Sequence, residues 1–144
     1  MTYLLDVNVL IALIDPQHVA SEAAHEWFER IGRKSWATCP ITENGVIRIL
    51  GNVRYSASPG TPAAIADFLR EFRKLPGHEF WKDDISIVEH PDTDTSRLLT
   101  WRQVTDTYLL ALASSKKGQL ATFDRRLIAD AVRGGTSALH LISG

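Results

Sequence analysis

Cysteine is almost missing from this chain: Cys39 is the single one in 144 residues. One thiol builds neither a disulfide framework nor a multi-cysteine zinc site, which places the chain in a reducing compartment. The apolar neighbours of Cys39 make it a small buried hydrophobe. Long apolar runs are lacking too, so no stretch reaches the length of a membrane span. Residues 1–15 are apolar but include Asp6, Asn8 and Asp15. They carry no basic leader and no small-residue cleavage site, unlike a signal peptide; the expected location is cytoplasmic, with no membrane partner. Nor does one sign of charge dominate. The net charge is −1, so no global positive field draws the chain onto nucleic acid. His18, His25, His78, His90 and His140 show no HExxH or Cys/His spacing. No phosphate-binding glycine loop and no Ser-His-Asp arrangement stands out.

What is present is ordinary globular material, 44% hydrophobic and 23% charged, enough for one domain over residues 1–144. Short apolar runs alternate with helix-period segments. Tyr3-Leu4-Leu5 reads as a buried strand. Val19, Ala23, Trp27, Phe28 and Ile31 fall on one helical face. Residues 36–39 read as a second strand closed by Pro40. Thr42 is placed to cap a helix with apolar positions Val46, Ile47 and Leu50. Ile65, Phe68, Leu69 and Phe72 give a further helix. Residues 85–88 suggest a third strand, and Thr105 a cap for a helix carrying Leu109, Leu112 and Ala113. A strand over 118–122, a helix over 124–132 and a strand over 139–142 complete the pattern. Residues 54–62 and 76–84 read as irregular connections. The alternation predicts an α/β fold, a mainly parallel sheet covered by helices on both faces.

Parallel sheets bind ligands beyond the carboxyl ends of their strands. Asp6 directly follows the first strand, Glu43 opens the helix after the second, and Asp124 follows the strand over 118–122. Asp106 sits in the first turn of a helix. Any one of these acids could simply cap a helix or complement its dipole; four at one edge point to convergence. Crowded carboxylates repel and raise one another's pKa. A divalent cation removes the conflict, and oxygen ligands select hard ions such as magnesium or manganese, one or two of them. Such ions activate water and polarise phosphoryl oxygens.

Asp6-Val7-Asn8, Glu43-Asn44-Gly45-Val46, Thr105-Asp106 and Thr122-Phe123-Asp124 together resemble the motifs of PIN-domain nucleases, and most of all the VapC-type toxin ribonucleases of bacterial toxin–antitoxin pairs. The resemblance runs over nearly the whole chain. It implies a three-layer α/β/α sandwich, metal-dependent cleavage of structured RNA such as tRNA or rRNA, homodimerisation, and inhibition by a cognate antitoxin. It also implies that Asp6, Asp106 and Asp124 coordinate metal. Glu43 would bind metal or position the attacking water, with Asn8 and Thr122 in hydrogen-bonding support. Arg48, Arg125 and Arg126 lie close in sequence to these acids and are candidates for RNA phosphate contacts.

The other basic groups read as the wet sides of helices. Asp92 and Asp94 suit a turn and a cap, Asp83-Asp84 a solvated loop, and Phe80-Trp81 packing beneath a loop. An antitoxin would cover an apolar helical surface, for which the helices carrying Trp27-Phe28 and Phe68-Phe72 are candidates. Two alternatives also gather acids at a sheet edge. One is a magnesium-dependent phosphotransfer or haloacid-dehalogenase-like domain, with Asp6 as nucleophile. Against it, Asn8 stands where that chemistry wants a second Asp. The other is a non-catalytic interaction module, which an intact set of four acids disfavours.

Overall fold

The computed structural model describes residues 1–55 and 59–144. Among them, five short strands form one sheet: β1 (Tyr3–Leu5), β2 (Trp36–Thr38), β3 (His78–Phe80), β4 (Gln119–Thr122) and β5 (Leu139–Leu141). Their order is β3-β2-β1-β4-β5, and every pair is parallel. Neighbouring side chains on a strand point to opposite faces. Thus Leu5, Trp36 and Ala121 enter one core, and Leu4, Ala37 and Leu120 the other. Helices α1 (Val7–Ile14), α2 (Ser21–Arg30), α3 (Pro40–Leu50) and α4 (Pro62–Phe72) pack on the first face. Helix α5 (Val104–Ser115), Trp81 and the turns near Val132 and Ala138 cover the second. The result is the expected three-layer α/β/α sandwich.

Helix α1 is apolar on nearly every side, and six of its eight residues are buried, as befits a helix inside the fold. Asp6 caps it, and Asp15-Pro16 stops it. Asp15 is itself buried, receiving hydrogen bonds from Gln17 N and from the Tyr55 hydroxyl at 2.7 Å. Between α2, β2 and α4 lies an aromatic seam. The ring of fully buried Trp36 meets Phe28 edge-on at 5.4 Å and Phe72 at 4.8 Å, a geometry that adds to plain area burial. Gly45 lets α3 approach the start of α1, since a Cβ there would stand 2.8 Å from Val7 Cγ2. Gly77 (φ 92°) turns the chain into β3, with the Arg33 carbonyl pressed where a side chain would go.

Several local expectations fail. Residues 85–88 are not a strand, although Ile-Ser-Ile-Val alternates; Val88 is exposed and the segment forms a turn. The third strand is His78–Phe80, a polar edge strand within the connection expected over 76–84. Residues 124–132 form turns instead of a helix. The Ala131 carbonyl accepts from Asp94 N, and the amide of Arg133, just past the segment, donates to Asp92 O; such tertiary bonds override local periodicity. Thr42 is not the N-cap of α3 but its third residue, and its hydroxyl accepts from Cys39 N at 3.0 Å. Thr105 lies inside α5, which starts at Val104. Val19 is exposed and Ile31 partly so, leaving Ala24, Trp27 and Phe28 as the buried stripe of α2. Trp27 and Phe28 are therefore core, not a docking face, whereas Phe68 on α4 is half exposed. Asp83 and Asp84 are exposed in a loop as expected, with hydrogen bonds from Tyr108 and Lys116; Trp81 is buried as expected, whereas Phe80 is exposed. The connection over 54–62 includes residues 56–58, which lie outside the described residues.

Candidate active site

Strand order reverses between β1 and β4: the chain moves from β1 toward β2 on one side and from β4 toward β5 on the other. Such a switch point opens a crevice at the carboxyl ends of the strands. Asp6 leaves β1 and Asp124 lies two residues past β4, on neighbouring strands. Helix α5 runs back toward the start of β4, so its first turn, with Asp106, returns to the same edge.

Asp6 is held firmly. Its Oδ1 accepts from Val7 N at 2.8 Å, and its Oδ2 accepts from the Thr122 hydroxyl at 2.8 Å. Thr122 in turn accepts from Asn8 Nδ2 at 3.0 Å and from Asp124 N at 3.1 Å, while Asn8 Oδ1 accepts from Phe123 N. This latch ties the end of β1 to the end of β4, and it uses side chains that sequence reading singles out. Asp124 Oδ1 accepts from Arg126 N at 2.9 Å.

Three aspartates feel one another. Burial pushes the Asp6 carboxyl up from the ordinary carboxylate value, against the lowering effect of its hydrogen bonds from Thr122 and Val7; the Asp124 charge pushes it further up. Asp106 is raised to about 6, first by burial and then by the charges of Asp6 and Asp124. Among the described residues no Lys or Arg side chain forms an ion pair with any of the three.

Glu43 has different company. Thr38 Oγ1 donates to its Oε2 at 2.7 Å, and Arg73 approaches the same oxygen at 3.3 Å. The Thr38 hydroxyl has one proton, given to the carboxylate, so its 2.8 Å contact with His78 Nε2 must be donated by the imidazole. His78 is lowered to about 4, by burial first and then by the Arg73 charge. It is neutral near pH 7 with its proton on Nε2.

A cleft of about 330 Å³ is lined by two of the three aspartates, with Thr100, Arg102, Gln103 and Asp106 from one segment and Asp124, Arg126 and Ile128 from the other. A larger groove of about 560 Å³ runs between α2 and residues 140–144 and holds none of the four acids. Arg126 thus faces two of the acids. Arg125 is exposed outside that lining, and Arg48 is exposed in the last turn of α3, whereas Glu43 is in the first. Arg102 lies outside the set read from sequence; the Trp101-Arg102 pair shortly ahead of Asp106 is the signal that could have found it.

No three His, Cys, Asp or Glu side chains among the described residues are spaced as a finished metal cage. The fit to a cation rests on the chemistry of the donors: oxygen only, mutually repelling, and without an ion-pair partner among the described residues. That set suits a hard divalent ion.

The chain matches the PIN domain family over residues 3–132. It is 43% identical to Ribonuclease VapC44 of Mycobacterium tuberculosis over 136 residues, which is 94% of this chain and 95% of that protein. With Ribonuclease VapC39 of the same species it shares 44% over 135 residues, covering 94% and 96%. With Ribonuclease VapC38 it shares 40% over 121 residues, covering 84% of each. Fold, switch point and sequence kinship agree: this chain belongs to the PIN-domain family, in its VapC-type branch.

Proposed function

We propose that this protein is a metal-dependent endoribonuclease, the toxin of a type II toxin–antitoxin pair, acting on structured RNA such as tRNA or rRNA in the cytoplasm. One observation carries the reading. Three aspartates from three separate segments lie within Coulombic reach of one another, and among the described residues none of them forms an ion pair with a Lys or Arg. The kinship of this chain with proteins that are each named a ribonuclease supports it. Membership of the PIN-domain family sets aside the phosphotransfer alternative.

Asp6, Asp106 and Asp124 would hold magnesium or manganese, as one ion or two. Such a cation activates water and stabilises charge on a scissile phosphate. Asn8 and Thr122 fix the Asp6 carboxylate, and partners of this kind keep a ligand oriented. Glu43, pinned by Thr38 and Arg73, is placed in this reading to orient the attacking water. Arg126 meets a phosphate at the cleft, with Arg48 and Arg125 as further backbone contacts. A cognate antitoxin and a second copy of the chain are the proposed protein partners. Among the described residues no helix is long and apolar enough to cross a membrane.

The test is cleavage of structured RNA by the purified protein. Magnesium or manganese should support it and EDTA stop it. Asp106→Asn should lower the rate by more than about 100-fold, because even residues behind a metal ligand are worth about 10- to 100-fold. Cleavage that survives both EDTA and Asp106→Asn at the wild-type rate would sink the reading.

A further inference from the structure

Four tryptophans divide unevenly in this fold. Trp27, Trp36 and Trp81 are at most 7% exposed, whereas Trp101 is 81% exposed. Its position is built rather than loose. Trp101 occupies a single 3-10 turn whose last residue, Gln103, is buried and holds the approach to the turn. Gln103 Nε2 donates to Arg97 O at 2.8 Å, and its Oε1 accepts from Leu99 N at 3.0 Å. The Arg102 guanidinium lies over the Trp101 ring, 5.1 Å from its centroid, and Arg102 also lines the cleft shared by Asp106 and Asp124. Neither Arg102 nor Arg126, across that cleft, has an ion-pair partner among the described residues.

We propose that Trp101 and Arg102 form a stacking platform for one unpaired base of the RNA substrate at the mouth of the acidic cleft. The inference rests on the ribonuclease reading and adds to it the subsite that holds the strand. Three carboxylates repel a phosphate backbone, so a strand that enters needs attraction beside them. An aromatic face capped by a guanidinium supplies it, because every base offers a π-face to Trp and Arg planes alike. The unpaired guanidiniums of Arg102 and Arg126 meet the flanking phosphates. A base gripped there leaves the adjoining phosphodiester near Asp106 and Asp124, and it selects for loops and single strands over regular duplex. Leu99 and Val104 extend the apolar surface, so a protein covering Trp101 is the competing occupant.

The readout is intrinsic fluorescence, since Trp101 is the tryptophan open to a soluble quencher such as acrylamide. In the Asp106→Asn background, a short single-stranded RNA oligonucleotide should quench Trp101 and shield it from acrylamide. Trp101→Ala should weaken binding of that RNA by about five- to hundredfold, with an unchanged melting temperature because the ring is exposed. Trp101→Phe should retain most of the affinity, and an oligonucleotide with abasic positions should bind wild type and Trp101→Ala alike. Equal RNA affinity and equal cleavage by wild type, Trp101→Ala and Trp101→Phe overturns the platform while leaving the ribonuclease reading intact. Shielding of Trp101 that grows with protein concentration in the absence of RNA also overturns it, in favour of a second copy of the chain. A wild type that cleaves no RNA with magnesium or manganese removes the reading and the platform together.

Discussion

Two sets of carboxylates stand at one edge of the sheet, and the fold treats them oppositely. Glu43 is compensated, with the Arg73 guanidinium at 3.3 Å and a proton donated by Thr38. Asp6, Asp106 and Asp124 form no ion pair among the described residues, and Asp6 and Asp106 are raised first by burial and then by neighbouring acidic charge. A folded domain is stable by only about 5–15 kcal/mol, so uncompensated repulsion is a strain that a bound cation relieves. In the proposed reading, this difference assigns the trio to the metal and Glu43 to the attacking water.

The largest expected effect breaks the comparison on the trio's side. Magnesium or manganese at a hundred times its dissociation constant should stabilise the wild type by about 2.7 kcal/mol, read as a rise in melting temperature over the protein in EDTA. Asp106→Asn should melt at or above the wild-type temperature in EDTA, one repelling charge having gone, and gain little from the metal. If the variant gains as much as the wild type, the metal binds elsewhere.

A smaller effect comes from removing the compensation on the other side. Arg73→Ala leaves the Glu43 carboxylate without its cation. The partly exposed pair is worth at most about 1 kcal/mol, so denaturant unfolding in EDTA at neutral pH should show a loss of that order. Restoration of the loss by divalent metal would assign Glu43 to the ligand set; persistence would keep it a water-orienting group.

The smallest effect is in the pH dependence. Asp106 has a folded pKa of about 6, above its ordinary 3.8; its contribution to stability is fully present below pH 3.8 and is lost as pH rises through about 6. His78, lowered to about 4 from 6.5, has the opposite sign: its contribution is present above pH 6.5 and is lost as pH falls toward 4. Between pH 4 and 6 the two oppose each other. Asp106→Asn in EDTA should therefore gain stability more steeply with rising pH than the wild type. The change is modest because both groups are only half-buried and solvent screens them. A shallower slope in the variant would contradict the assigned direction for Asp106.

Much of this architecture is legible in the chain, for identifiable reasons. β1, β2 and β4 are apolar runs whose alternate residues enter different cores, and the motifs around Asp6, Glu43 and Asp124 fall beside them. β3 is not legible, because an edge strand of His-Glu-Phe needs no apolar run; the Ile-Ser-Ile-Val segment after it imitates one. The turns over 124–132 are equally hidden, because their backbone partners lie near Asp92 and Asp94, far away in sequence.

By itself the sequence determined most of the elements, the oxygen-only donor chemistry and the lack of a multi-cysteine or glycine-loop alternative, since periodicity and residue type are local properties. Only the tertiary structure decided that Asp6, Asp106 and Asp124 share one field while Glu43 is neutralised by Arg73, and that one tryptophan of four stays in solvent. Those outcomes depend on the order in which the strands line up and on where α4 and α5 return. Through-space charge and burial respond to that arrangement, which no stretch of neighbouring residues encodes.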